Sequence, residues 1–289
     1  MELIVQTTVN ALVASSFAAL MAVGLVLIFG VMRIVNFAHG ELYMVGAYAV
    51  WWLYAVNGWP FFLAVAGAIV VVGVIGLVME RFLFRPMRDN PLGGLIMSVG
   101  VLFILQVLAG DFFGVGLMKH VPPAFPGVVE VFGIAAAKVP WQRLVVIGVA
   151  VLLLVGLWAF LGRTRLGWAL RACAQDREAA ALQGIGINRV SLLAMGLGAA
   201  LAGAAGGVMA PLVQVYPYIG HSVIITAFIV IIVGGIGSLE GAVLAAFLYM
   251  FFHTFVTTYY GGDIATILGL LLMLLVLVIR PTGLLGTRG

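Results

Sequence analysis

The chain has 289 residues, 64% of them hydrophobic and 8% charged, with a mean hydropathy of +1.25. Soluble domains carry about a quarter charged residues, and 14 basic plus 10 acidic side chains cannot cover a water-facing surface of this length. A soluble fold is excluded, and a net charge of +4 is too slight for a nucleic-acid footprint. Apolar runs of roughly 20 residues argue for helices rather than the ten-residue alternating strands of a barrel. The fold class is therefore all-α and polytopic, since a helix satisfies its own backbone groups inside lipid.

In chain order, apolar spans are expected at about 7–30, 42–57, 60–80, 92–110, 143–161, 191–213, 222–239, 241–260 and 263–280, giving eight or nine crossings. The N-terminus, "MELIVQTT", has no basic region ahead of its apolar run, so no cleaved signal peptide is expected. Spans 42–57 and 222–239 are short, and both adjoin Gly-rich polar stretches. At least one interrupted or re-entrant segment is thus expected, at "RIVNFAHGELYMVGAY" (33–48). There Asn36 and His39 would satisfy freed backbone groups, and Glu41 would open the next helix.

Charge then orients the spans. Arg81, Arg85 and Arg88 form one cluster, Arg163, Arg165, Arg171, Arg177 and Arg189 a second, and Arg280 with Arg288 end the chain. The alternate loops hold only Lys119, Lys138 and Arg143. The positive-inside rule places the Arg-rich segments in the cytoplasm, with the N-terminus outside and the C-terminus inside. Residues 111–142 form the longest outer segment; their four prolines forbid a continuous helix and leave a loop with some strand, or a contact for a soluble partner. No flexible linker divides the chain, so residues 1–289 form one membrane domain.

Residues 163–190, "RTRLGWALRACAQDREAAALQGIGINRV", form the long charged inner loop. Asp176 and Glu178 suit a helix start, Ala179 and Ala180 are strong helix formers, and Gly184 suits the position after the helix end. The expected product is a short, small-faced helix that fits a groove on another protein. Its arginines also suit anionic lipid heads.

A buried charge costs about 2.5–3.5 kcal/mol even on the lenient insertion scale, so Glu41 and Glu240 need a reason. Two readings stand. Both acids line a path at the ends of interrupted helices, their carboxylates organising broken backbone or meeting Arg33, or both are hydrated helix-start acids at the interface. His39 reads first as a hydrogen-bonded structural residue. A faint echo links "NFAHGELYMVGAY" with "VGGIGSLEGAVLAAF", where Gly-rich backbone precedes a lone Glu. Ala199, Gly203 and Gly207 form a small-residue face suited to helix packing or a subunit seam. Pro211 and Pro217 are expected to break the chain near the outer face, where the polar residues of "QVYPYIGHS" are available to a substrate.

Excluded chemistry is equally informative. Cys173 is alone, so no internal disulfide forms. His39, His120, His221 and His253 lack metal-ligand spacing, and no metal site is expected. Lys119 precedes His120 and Lys138 precedes Val139, so no P-loop exists. H-E-x-x-H and G-x-S-x-G are absent, which argues against an intramembrane enzyme.

"Glu178-Ala179-Ala180" with Gly184 resembles the E-A-A-x-x-x-G coupling motif of bacterial ABC importer permeases. "GLVLIFGVMRIVNFAHGELYMVGAY", "RACAQDREAAALQGIGINRV", "GAALAGAAGGVMAP" and "VGGIGSLEGAVLAAF" resemble, in order, the LivH-type permeases of branched-chain amino acid importers. The general motif's I-x-L-P ending is missing, since "IGINRVSLLAMG" follows Gly184. The resemblance implies a multi-pass permease of the bacterial inner membrane that carries branched-chain or other hydrophobic amino acids. It implies no cofactor in this chain, with ATP and Mg on separate ABC ATPase subunits docked at Arg171, Asp176, Glu178, Ala179, Ala180 and Gly184. It further implies a second, related permease, as a heterodimer, and a periplasmic substrate-binding protein. Relatives that carry urea, short amides or other amino acids leave the substrate open. A self-sufficient secondary transporter or channel is the alternative of another class.

Overall fold

The structure, a computed structural model, describes residues 2–88, 90–114, 116–130 and 138–286. Arg288 and the 131–137 part of the outer segment lie outside them. The chain is an all-α polytopic membrane protein. Helices α1 (Glu2–Met32), α3 (Phe61–Met79), α4 (Pro91–Phe113), α5 (Trp141–Arg163), α8 (Ile187–Met209), α10 (Leu239–Tyr260) and α11 (Gly262–Ile279) are the seven described helices long and apolar enough to cross a membrane. Two shorter helices, α2 (His39–Val50) and the apolar α9 (Ile219–Gly234), pack among them. Helices α6 (Arg165–Gln175) and α7 (Arg177–Leu182) form the 163–190 loop. A π-helical stretch, Trp51–Val56, prolongs α2, and another, Glu80–Phe84, prolongs α3.

The outer segment follows its prolines. Between α4 and α5, β1 (Val128–Glu130) pairs antiparallel with β2 (Lys138–Pro140). Lys119 forms a two-way backbone bridge with Val215, which ties this segment to the stretch before α9.

Helices α1 and α8 form the centre of the bundle, while α4, α5 and α11 turn most of their apolar surface outward, as lipid-facing helices do. Small residues set the closeness of the inner packing. Ala199 meets Gly76 of α3, Gly203 meets Gly46 of α2 and Val72 of α3, and Gly207 meets Val50 of α2. The small face thus packs within the chain, against α2 and α3.

The 233–247 segment departs from its expected likeness to 36–48. Gly235 and Gly237, at φ 107° and 94°, make a tight turn, and the Ser238 hydroxyl accepts from the Gly241 N–H to start a continuous, full-length α10. The Gly-rich stretch belongs to this turn, so the short span is α9 at 219–234 rather than 222–239.

Candidate functional site

Helix α1 ends where Arg33 takes a left-handed conformation, φ 54°. The chain then runs back along the bundle as 34–38. His39 Nε2 lies 3.2 Å from the carbonyl of Met21, which is eleven residues before the end of α1. That separation corresponds to about 16 Å of helix, roughly half the hydrocarbon thickness. Helix α2 therefore starts at mid-depth.

Irregular backbone at that depth needs partners, and it has them. Asn36 Oδ1 accepts from the Ala38 N–H at 3.1 Å. Ser98 of α4 accepts from the Phe37 N–H at 3.1 Å and lies 3.3 Å from the Val35 carbonyl. His39 reaches the backbone of α1 rather than that of its own segment.

Helix α9 starts at the same level. A Cβ on Gly40 would collide with the Gly220 carbonyl, and one on Gly220 with the Gly40 carbonyl and the Glu41 carboxyl. From this junction the helices run apart. The far end of α2 brings Tyr48 onto Phe113 at the end of α4, whereas α9 ends with Gly234 against Gly241 at the start of α10. Two helix N-termini, each with a partial positive charge, thus converge inside the bundle.

Glu41 sits between them, fully buried. Its Oε1 accepts from Gln106 Nε2 of α4 at 2.9 Å, and its Oε2 has no hydrogen-bond partner. Arg33 is exposed at the end of α1 and forms no ion pair with Glu41, so of the alternatives for Glu41 the contact with Arg33 is not the one found. Gln106 also lines a cleft of about 670 Å³ with Phe37, Tyr216, Tyr218, His221 and Ser222. One side chain therefore separates the buried carboxylate from an open cavity with aromatic walls and several polar groups, the usual make-up of a small-molecule site.

The 163–190 loop is a second built surface. Asp176 Oδ1 accepts from the N–H groups of Glu178 and Ala179, at 2.9 and 3.0 Å, and so caps α7. Gly184 follows the helix at φ 80°, a conformation that favours glycine. Ala180 packs inward with Leu161, Leu170, Cys173 and Val190, while Glu178, Ala179 and Leu182 face outward. Leu182 is 87% exposed.

Beneath this surface lies buried Glu80. Its carboxylate is paired with Arg85 at 3.0 Å and Arg88 at 2.8 Å. Both arginines also reach Asn188, at the start of α8. Burial and the nearby Arg177 pull the Arg88 guanidinium below its usual value, and Glu80 opposes that pull.

A family model described as the permease component of the branched-chain amino acid transport system matches residues 7–279. The chain belongs to this permease family. It is 35% identical to the high-affinity branched-chain amino acid transport system permease protein BraD of Pseudomonas aeruginosa, over 97% of this chain and 95% of BraD. It is 32% identical to LivH of Escherichia coli, over 97% and 95%, and 28% identical to a probable LivH of Methanocaldococcus jannaschii, over 96% and 91%. No solved structure gives a significant match.

In this permease, Asn36, His39 and Glu41 come together at the mid-depth junction. Glu240 stands apart, exposed in the first turn of the uninterrupted α10, and shares a separate groove with Arg171. Asp176, Glu178, Ala179, Ala180 and Gly184 all lie on or beside α7. Sequence reading missed Gln106, Ser98, Glu80 and Leu182. Gln106 and Ser98 were legible only as polar residues eight apart within an apolar span, one face of a helix. Glu80 was masked by the arginines beside it.

Proposed function

We propose that this permease is the membrane subunit of an ATP-driven importer for branched-chain or other hydrophobic amino acids in the bacterial inner membrane. In this reading nine helices enter the membrane, two of them from mid-depth, and the Arg-rich loops favour an N-terminus outside and a C-terminus in the cytoplasm. Asn36, His39 and Glu41 organise the translocation path, and α7 is the seat of a separate ABC ATPase, which holds ATP and Mg. A related second permease covers the cleft beside Gln106, and a periplasmic binding protein delivers substrate to the outer face.

One observation carries the reading: the N-termini of α2 and α9 meet around a buried carboxylate that is hydrogen-bonded to a cleft-lining glutamine. Fixed N–H donors and a carboxylate at mid-depth match the two charges of a zwitterionic amino acid, and the cleft's apolar walls match its side chain. Branched-chain substrates are named for the relatives BraD and LivH.

The test is reconstitution in liposomes with ATPase, second permease and binding protein. ATP-dependent leucine uptake is expected, and Glu41→Gln should lower it about tenfold or more while the complex still assembles. Wild-type uptake in that variant would remove Glu41 from the path. Accumulation by this chain alone would instead assign it to the secondary transporters, and uptake of urea or short amides in preference to leucine would change the substrate class.

Leu182 supplies a further expectation. An exposed leucine on a helix tip suits a groove on a partner, and losing such an anchor costs about 2 kcal/mol. Leu182→Glu should therefore weaken ATPase association roughly 30-fold, read by titrating the ATPase onto permease in nanodiscs. Unchanged association would move the seat away from α7.

A further inference from the structure

A second groove lies between α5 and α10, away from Glu41. It holds about 530 Å³, and its walls are apolar, with Leu154, Trp158, Val243 and Phe247 among them. Arg171 of α6 and Glu240 of α10 are the charged groups that line it. Both are exposed, and among the described residues no ion pair joins them. An adjoining hollow of mixed lining continues from this charged end past Gln175 and Ser238.

Indole rings mark the level of that end. Trp158 lines the groove and is largely exposed. Trp168 of α6 donates from Nε1 to the Gly162 carbonyl at 2.9 Å, and Gly162 also lines the groove. Exposed tryptophans of this kind sit at the headgroup level of a bilayer. Leu166 and Trp168 are exposed beside Arg165 and Arg171, as on a helix lying in the interface.

We propose that this groove binds an inner-leaflet phospholipid whose head carries both a phosphate and a primary ammonium. The phosphate meets Arg171, the ammonium meets Glu240, and one acyl chain lies along α5 and α10. Charge complementarity selects this occupant. A purely anionic head leaves Glu240 facing like charge. A partner's apolar helix would bury two unmatched charges, at a cost that buried charges rarely recover. Because Arg171 extends from α6, which leads into α7, the lipid braces the helix that presents the ATPase seat. Naming the inner leaflet rests on the orientation proposed above.

Native mass spectrometry of the assembled complex tests the site, with phosphatidylethanolamine and phosphatidylglycerol offered in equal amounts. Wild type should retain phosphatidylethanolamine in preference. Glu240→Gln should reverse that preference by about tenfold, because the cation then stands alone. Arg171→Gln should release both lipids, and Val243→Trp should exclude both by filling the groove while the complex stays whole. The same lipid profile in all four proteins would overturn the proposal. Loss of the second permease from the Val243→Trp complex would also overturn it, by making the groove a subunit seam. The orientation is checked separately, by labelling Leu182→Cys with an impermeant maleimide from each side of the membrane. Labelling from outside would place the same lipid site in the other leaflet.

Discussion

Gly220→Val is expected to abolish uptake and to lower the yield of folded permease. The added Cβ meets backbone on the facing helix, the Gly40 carbonyl, and the Glu41 carboxyl behind it. The Gly40 carbonyl, being backbone, cannot move aside as a side chain would. Overpacking in a close-packed interior costs about 1–3 kcal/mol, and a collision with backbone belongs at or above the top of that range. Pushing the Glu41 carboxyl aside would in turn break its hydrogen bond from Gln106, which leaves a buried carboxylate with no protein donor. Gly148→Val is the matched control. A Cβ there has nothing within 4 Å and faces outward from α5, so insertion, yield and uptake should stay near wild type. Uptake and size-exclusion profiles of the two variants decide the matter. Normal transport by Gly220→Val would show that the junction is looser than its geometry implies.

Glu80→Gln is the second large effect. The substitution keeps the shape and removes the charge that holds Arg85 and Arg88 beside Asn188. Three guanidiniums, those of Arg85, Arg88 and Arg177, then crowd one another without their acid. Breaking a fully buried pair costs about 3–5 kcal/mol. Arg85 keeps partial contact with water, so about 2–3 kcal/mol is expected here. Thermal unfolding in detergent should show the loss. Transport should fall more than stability explains, because the network anchors the start of α8 directly below α7. A variant as stable and as active as wild type would reduce the network to a surface contact.

The long helices were legible because about 20 apolar residues in succession have few other uses. Expected and observed spans differ mainly at the ends, as for α1, read as 7–30 and found at 2–32. The break at 33–38 was legible too, since Arg33, Asn36 and His39 interrupt an apolar run without enough chain to form a water-exposed loop. Its satisfying partners were not, because Ser98 and Gln106 belong to a helix more than 60 residues away. The start of α9 was harder still. Pro217 and the tyrosines around it mark a break, but its depth follows from the meeting of Gly220 with Gly40, which no local pattern encodes. The likeness of 36–48 to 233–247 was a resemblance of composition. One stretch opens a helix at mid-depth, and the other turns tightly and opens a helix of full length.

Helix α8 runs from the rim of α7 to the flank of α2, and at Gly206 its backbone lies directly against that of Tyr43 and Ala47. From Ile187 to Met209 the helix is continuous. A displacement at the α7 end would therefore act on α8 as on a crowbar, with its fulcrum where Gly76 of α3 bears on Ala199. The stroke would arrive in the body of α2, against the backbone of Tyr43 and Ala47, while the start of that helix lies level with the fulcrum, where His39 and Gly198 both face Gly24.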